Sequence, residues 1–188
     1  MDLLNPVAED IDILEIARAL SQQCRYAGNI RRFYSVAQHS FLIAGALCRD
    51  GAKPEVVLAG LLHDAHEAYV GDIVNPVQQM LWHVSPDARR AFRELCRKLD
   101  DLICERAGLD ATWLHDPLVR EYDARILIDE RKTLLTDPPP RPWSVDVAGM
   151  VRLGVNIWPC TPDQARIAWL ASLQISLRKC GLKPLEAP

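Results

Sequence analysis

The feature that most constrains the fold is an apolar run, residues 56–62, that leads directly into a segment rich in ionisable side chains, residues 63–72. Successive residues of a helix are 100° apart, so the leucines of the run and the alanines that follow it share one side. His63 and Asp64 fall on the other side. The pattern predicts a helix with one face in a core and one face that carries polar chemistry.

Within this motif, His63 and Asp64 are the best candidates for metal ligands. A cation above the arc between them can take an imidazole nitrogen and a carboxylate oxygen together. Glu67 lies one turn further along the helix, about 5–6 Å away, and suits a general base, a second ion or a position behind the first ligands. His66 lies on the rim of the arc and is the weaker candidate. This geometry assumes that one helix continues through residues 54–70.

The composition is that of an ordinary globular chain. It has 188 residues, of which 49% are hydrophobic and 25% charged, and we interpret residues 1–188 as one domain. A formal net charge of −3 gives no general electrostatic reason to bind duplex nucleic acid, although local arginines can still meet small anions. No apolar run approaches the roughly 20 residues of a membrane span. The sequence therefore predicts neither a duplex nucleic acid nor a membrane as partner.

The six cysteines form no Cys-x-x-Cys pair, and several lie in apolar helical segments. We expect them to be buried free thiols. The first ten residues lack the basic segment with which a secretory signal begins. A reducing cytoplasm is the predicted location.

Helical periodicity dominates the rest of the chain, and prolines stand near several predicted helix starts, where their missing N–H costs little. Residues 151–157 are the best strand candidate but also fit an extended connector. The four prolines in residues 137–142 exclude a helix and favour a solvated loop over a flap above a pocket. The predicted fold class is all-α, with helices near 10–24, 35–49, 54–70, 76–83, 86–107, 116–133 and 162–179.

Two more ionisable residues lie on otherwise apolar helix faces. The imidazole of His39 is expected to point inward, and Asp123 is expected to face the core, where a carboxylate costs several kcal/mol unless a cation compensates it. Taken singly, His39 can be a core histidine bonded to a carbonyl, and Asp123 can pair with Arg120 or Arg125. His83 and His115 have no comparable neighbours and are expected at the surface or at helix ends.

Together with the motif, these residues predict a metal site made of two imidazoles and two carboxylates. Such a mixed sphere suits Zn²⁺, Mn²⁺, Fe²⁺ or Co²⁺ and leaves a position for water. The predicted ligands are His39, His63, Asp64 and Asp123.

A histidine on one helix, a His-Asp pair some two dozen residues later and a downstream aspartate resemble the HD-domain phosphohydrolases. Three segments, 34–40, 61–73 and 121–123, are similar to the small bacterial and phage branch of that superfamily. This branch contains 5′-deoxynucleotidases, phage dATP triphosphohydrolases and the oxetanocin-pathway phosphohydrolase. Residues 20–26 and 157–159 extend the likeness. The resemblance implies a bundle of about six to eight helices around a buried metal site.

The resemblance also implies roles for individual residues. In that family, the positions that match the four predicted ligands bind the catalytic ion, and those that match Glu67 and Asp72 act in catalysis or on additional ions such as Mg²⁺. Arg25 would contact phosphate, and Tyr26 would pack near the nucleoside, where the 5′-deoxynucleotidases have tryptophan. On helix geometry alone, Arg25 can equally serve the C-terminal dipole of its helix.

The implied function is metal-dependent hydrolysis of deoxynucleotides at phosphorus, in the cytoplasm of a bacterium or of a phage-infected host. Residues 36–40 favour a dATP-like triphosphohydrolase over a 5′-deoxynucleotidase that acts on monophosphates. The alternatives are a phosphodiesterase, including one for cyclic or alarmone nucleotides, and a non-catalytic helical module that only binds a nucleotide. Likeness to the family also favours a homo-oligomer, either a dimer or a larger ring.

Overall fold

The computed structural model describes residues 1–135, 147 and 149–184, and this part of the chain is built from helices. In chain order they are α1 (Ile13–Gln22), α2 (Val36–Arg49), α3 (Pro54–Leu62), α4 (Glu67–Val70), α5 (Asn75–Val84), α6 (Pro86–Ala107), α7 (Pro117–Leu134) and α8 (Pro162–Lys179). Short 3-10 helices form at Ala8–Asp10, Arg25–Gly28 and Ala111–His115. The prediction of an all-α fold is confirmed.

No strand forms in the described ranges, where the only β-bridge pairs Cys24 with Ser35. Residues 151–157 form an irregular connector, which was the alternative to a strand. The proline-rich loop predicted at 137–142 lies outside the described residues. No helix of the described chain combines the length and the apolarity that crossing a bilayer requires.

The helix starts follow from capping chemistry. Prolines occupy the first turn of α3, α6, α7 and α8, where no intrahelical bond needs their N–H. The side chain of Asp12 accepts hydrogen bonds at the start of α1, and Ser35 does the same for α2. Thr161 and Gln164 form a capping box at α8. Most of the predicted helix ends therefore lie within a few residues of the observed ones.

The prediction of one helix over residues 54–70 is wrong. Helix α3 ends at Leu62, a turn follows, and α4 begins at Glu67. The backbone N–H groups of Ala65 and Glu67 donate to carbonyls only three residues earlier, at 2.8 and 3.0 Å. This tighter winding replaces the 100° spacing between residues. The positions of the motif side chains are therefore set by a turn and not by the face of a continuous helix.

The core is one connected cluster of buried apolar side chains from most of the helices, and α2 lies within it. Every side chain in residues 36–44 is buried, including the polar ones of Gln38, His39 and Ser40. Buried polar groups need partners inside the protein. The surroundings of α2 therefore determine where a polar site can form.

The exposure of the cysteines and of two histidines can be compared with the predictions from the sequence. All six cysteines are free, as predicted, but only Cys104 and Cys160 are buried. Cys48 is exposed because it lies at the end of α2, where the chain leaves the core. His83 and His115 are exposed at the ends of their helices, as predicted.

Helices α2 and α3 approach closely at Gly60. A Cβ built on this glycine would overlap Cδ1 of Leu47 and lie 3.3 Å from Cγ2 of Ile43. The carbonyl oxygen of Gly60 also accepts a hydrogen bond from the ring of His63. The absence of a side chain at this position therefore lets α2, which carries His39, and α3, which leads into His63, lie side by side.

We expect Gly60→Ala to lower the free energy of unfolding by about 1–3 kcal/mol, because Leu47 must leave its rotamer to admit the new methyl group. Gly45→Ala is the matched control, since nothing lies within 4 Å of a Cβ at this other helical glycine. The control is expected to be neutral or to stabilise the protein by up to about 1 kcal/mol. Denaturant unfolding followed by circular dichroism measures both. Equal stabilities of the two variants would contradict the close approach.

Candidate metal centre

Three segments that are distant in sequence bring the four predicted ligands to one place. His39 comes from α2, His63 and Asp64 from the turn after α3, and Asp123 from α7. Nε2 of His39 lies 3.2 Å from Oδ1 of Asp123 and 3.6 Å from Oδ2 of Asp64. Nε2 of His63 lies 3.1 Å from Oδ2 of Asp64 and 3.9 Å from Oδ1 of Asp123. These four polar groups therefore border the same small space.

The imidazoles are oriented with Nε2 towards that space. Nδ1 of His63 lies 2.9 Å from the carbonyl oxygen of Gly60, and Nδ1 of His39 lies 2.7 Å from Oε1 of Glu130. A carbonyl oxygen only accepts, so Nδ1 of His63 carries a proton and Nε2 is its metal-binding nitrogen. Both Nε2 atoms are buried without a hydrogen bond of acceptable geometry. Such nitrogens, fixed by a partner on the other side of the ring, suit a cation.

The ligand atoms of His39, His63 and Asp123 all lie within 4.8 Å of one another. This group can hold a metal ion, and its nitrogen and oxygen donors fit Zn²⁺, Mn²⁺, Fe²⁺ or Co²⁺. Asp64 borders the same space through Oδ2, which also lies 3.4 Å from Nη1 of Arg25. Its role as a fourth ligand stays a prediction.

Asp123 is more exposed to solvent than the sequence predicted. Its side chain is 45% exposed, so the cost of burying a carboxylate is not what requires a cation there. Arg125, one of the two arginines considered as its partner, instead pairs with Glu121 at 2.9 Å. Oδ1 of Asp123, on α7, still lies 3.2 and 3.9 Å from the Nε2 atoms of His39 and His63. The residue was predicted correctly as part of the cluster, but the argument from burial was wrong.

The electrostatics of the site keep Asp64 ionised. Burial opposes its charge, but the imidazoles of His63 and His39 and the guanidinium of Arg25 hold its pKa well below its usual range. Burial likewise opposes a charge on His63, but the nearby Asp64 carboxylate raises the pKa of that imidazole to about 9. The ionised Asp64 carboxylate attracts a cation, which binds the imidazole of His63 after displacing its second proton.

Glu130, which was not predicted from the sequence, is a carboxylate with no exposed surface behind His39. Its Oε1 accepts from Nδ1 of His39 and, at 2.9 Å, from the hydroxyl of Tyr34. Its Oε2 accepts from the hydroxyl of Tyr26 and lies 3.8 Å from Nη2 of Arg25. Burial opposes its charge, but Arg25 and His39 together lower its pKa to about 2. The available signal was its place two helical turns after Asp123, on the same face of α7.

Glu67 and Asp72 lie beside this cluster. Burial, followed by the charges of Asp64 and Asp72, raises the pKa of Glu67 to about 9. Burial also raises the pKa of Asp72. The side chain of Gln23 ties the two together, since its Nε2 donates to the carbonyl of Glu67 at 2.9 Å and its Oε1 accepts from the N–H of Asp72 at 3.2 Å. A carboxyl group with a raised pKa is a candidate proton carrier.

Arg25 and Tyr26 enter the site from a strained turn. Tyr26 has φ 58° and Ala27 has φ 50°, a left-handed conformation that is uncommon for residues other than glycine. Arg25 lies beyond the end of α1 at Gln22 and contacts Asp64 and Glu130, so serving the dipole of α1 is not its main role. Its side chain is only 12% exposed. The predicted contacts of Arg25 with phosphate and of Tyr26 with a nucleoside stay predictions.

His66 belongs to a separate pair. Its Nδ1 lies 2.9 Å from Oδ1 of Asp100 on α6. Burial lowers the pKa of His66, but the hydrogen bond and the charge of Asp100 outweigh this effect and raise it to about 11. The pair fastens the turn after α3 to α6, in keeping with the weaker case for His66 as a ligand.

Together, the fold and the site define an all-helical protein with a His/His/Asp group that can hold a divalent cation. The chain is 38% identical over 175 residues to the uncharacterized protein YfdR of Escherichia coli strain K12. This alignment covers 92% of the chain and 89% of YfdR. It is 33% identical over 135 residues to an uncharacterized protein of Rhodobacter capsulatus, and this alignment covers 70% of the chain and 65% of that protein. The chain belongs to the same family as YfdR. No family model matches it.

Proposed function

We propose that this protein is a metal-dependent phosphohydrolase of the HD-domain type that hydrolyses deoxynucleotides at phosphorus. The observation that supports this most is the shared space bordered by Nε2 of His39, Nε2 of His63 and the carboxylates of Asp64 and Asp123. The order of these residues along the chain resembles the HD-domain motif. Their donor set fits a divalent ion with a position left for water.

The proposed mechanism assigns distinct tasks to the residues around the ion. A divalent ion, when bound, polarises a phosphoryl oxygen and lowers the pKa of water. Glu67 is the proposed proton carrier for the attacking water, and Asp72 helps to orient that water. The guanidinium of Arg25 neutralises phosphate oxygens. In the structure it faces the carboxylate of Asp64, another anionic oxygen group.

An unused carboxylate argues against a purely structural ion. Oε2 of Glu67 is buried without a hydrogen bond, beside a group of other side chains that can hold a metal ion. Closed structural sites seldom keep spare acidic groups beside them, whereas hydrolytic sites need them for proton transfer. We therefore favour an enzyme over a non-catalytic module that only binds a nucleotide.

The preferred substrate is a dATP-like deoxynucleoside triphosphate, cleaved to the deoxynucleoside and tripolyphosphate. The alternative is removal of the 5′-phosphate from a deoxynucleoside monophosphate. The preference rests on the resemblance of residues 36–40 to the phage triphosphohydrolases. The cytoplasmic location and the homo-oligomeric state likewise stay predictions from the sequence.

A substrate panel tests the proposal. The protein is stripped with a chelator, reloaded separately with Mn²⁺, Co²⁺, Zn²⁺ or Mg²⁺, and incubated with mono- and triphosphates of nucleosides and deoxynucleosides. We expect hydrolysis to disappear with the chelator and to return with at least one ion. Deoxyadenosine plus tripolyphosphate from dATP supports the first substrate, and deoxyadenosine plus phosphate from dAMP supports the second. Metal binding without turnover of any nucleotide would contradict the proposal.

A further inference from the structure

Glu130 contacts two parts of the site, His39 and the turn that carries Arg25 and Tyr26, although it lies 91 residues after His39 and 104 residues after Tyr26 in sequence. One carboxylate oxygen faces Nδ1 of His39, at 2.7 Å, and the other accepts from the hydroxyl of Tyr26 and faces Arg25. The side chain of Glu130 has no exposed surface, so these protein groups take the place of its hydration. A carboxylate held in this way transmits the position of one partner to the other.

The His39 side of this network concerns the metal. A hydrogen bond from Nδ1 to a carboxylate fixes the tautomer in which Nε2 has a free lone pair, and it orients the ring. Nε2 of His39 is buried and faces Oδ1 of Asp123 at 3.2 Å. Glu130 therefore holds His39 in the form that a cation needs.

The Tyr26 side concerns the turn at Arg25–Gly28. Two successive residues, Tyr26 and Ala27, adopt left-handed backbone angles that side chains disfavour. Such a conformation persists only if contacts elsewhere hold it, and the bond from the hydroxyl of Tyr26 to Glu130 is a contact that ties the turn to the interior. The same turn places Arg25 beside Asp64.

We infer that Glu130 is a positioning residue that couples the metal centre to the Arg25–Gly28 turn, an inference that rests on the proposed metal site. Ordering of His39 by a bound cation then orders the turn as well. By reciprocity, a turn held in its left-handed form strengthens the binding of the cation. Binding of the ion therefore also positions Arg25, the residue proposed to contact phosphate.

The test compares Glu130→Gln, Tyr26→Phe and the matched control Asp129→Asn. Asp129 is the neighbouring buried carboxylate, but it accepts from the N–H of Gly154, away from the histidines. Two measurements are made on the full chain, neither of which depends on activity. They are the dissociation constant for Mn²⁺ and the rate of amide hydrogen exchange in residues 24–30, with and without Mn²⁺.

We expect Glu130→Gln to raise the Mn²⁺ dissociation constant by about 10–100-fold, as for other partners of a metal-bound histidine, and to speed exchange in the turn. Tyr26→Phe should speed exchange in the turn and remove the protection that Mn²⁺ gives it, with a smaller loss of Mn²⁺ affinity. Asp129→Asn should leave both quantities as in the wild type. A Glu130→Gln protein that changes only one quantity, or no more than the control does, overturns the coupling.

If Glu130→Gln does not fold, measurements on the wild-type protein still test the coupling. Its two-bond ¹H–¹⁵N spectrum should show His39 protonated at Nδ1, and saturation with Mn²⁺ should slow exchange in the turn. Protonation of His39 at Nε2 alone, or exchange that is indifferent to Mn²⁺, overturns the inference. A wild-type protein that binds Mn²⁺ and shows this protection but hydrolyses no nucleotide would end the proposed function while supporting the coupling.

Discussion

Replacement of His63 by alanine is expected to abolish divalent-ion binding and hydrolysis while the protein stays folded. The change removes one of the two Nε2 atoms that face the site and leaves a single imidazole beside the carboxylates. We expect the affinity for Mn²⁺ to fall by more than about 100-fold, since even the loss of a partner behind a metal ligand costs up to this factor. Isothermal titration calorimetry and product chromatography measure the two effects.

His115→Ala is the matched control for His63→Ala. His115 is an exposed histidine at the end of the Ala111–His115 helix and should affect neither metal binding nor turnover. Asp64→Ala tests the same site through a different donor and should also abolish turnover. Circular dichroism spectra that match the wild type show that each variant is folded. Full activity of His63→Ala in metal-controlled buffer would contradict the assignment.

Replacement of Arg25 by alanine is expected to have the largest effect on stability. Its guanidinium is the cation that faces both Glu130 and Asp64, and Glu130 has no exposed surface. The loss of one partner from a buried charge network costs about 3–5 kcal/mol in the free energy of unfolding. The substitution should also raise KM for the nucleotide, because the proposed contact with phosphate is lost.

The expected pH dependence of this effect follows from Glu130. The pKa of Glu130 lies at about 2 in the folded protein, against an ordinary value of 4.5, so the carboxylate stabilises the fold above pH 4.5 and loses that contribution as the pH falls towards 2. Arg25→Ala weakens this contribution. The difference in stability between wild type and variant should therefore be greatest above pH 4.5 and should narrow on acidification.

Urea unfolding in the presence of a chelator measures the stability of Arg25→Ala without interference from a bound ion. Arg18→Ala is its control, because the Arg18 side chain is 64% exposed and pairs with Glu15 within α1. An exposed pair of this kind contributes less than about 1 kcal/mol. Equal losses for the two arginines would show that Arg25 does not compensate the buried carboxylates.

Most of the helical architecture could be predicted from local chemistry. Prolines at first turns and caps such as Ser35 define helix starts without reference to the rest of the protein. The break after Leu62 could not be predicted in this way, because both halves of the segment 54–70 favour a helix. Two side-chain contacts hold the turn. His66 contacts Asp100, which lies outside the segment, and His63 contacts the carbonyl oxygen of Gly60 within it.

The convergence of the four predicted ligands was accessible from sequence because each lies in a recognisable motif or on an apolar helix face. Glu130 was not accessible, since its importance depends on Tyr34 and Tyr26, which lie 96 and 104 residues away in sequence. Its place two turns after Asp123 is a local signal, but it does not show that the side chain is buried against these tyrosines. Tertiary packing, and not periodicity, makes it part of the site.

The most direct test of the central claim is an anomalous difference map of crystals grown with Zn²⁺, measured at the zinc absorption edge. We expect one strong peak about 2.0–2.2 Å from Nε2 of His39, Nε2 of His63 and the carboxylates of Asp64 and Asp123. A map with no peak among these residues, or with its strongest peak bound elsewhere, would contradict it.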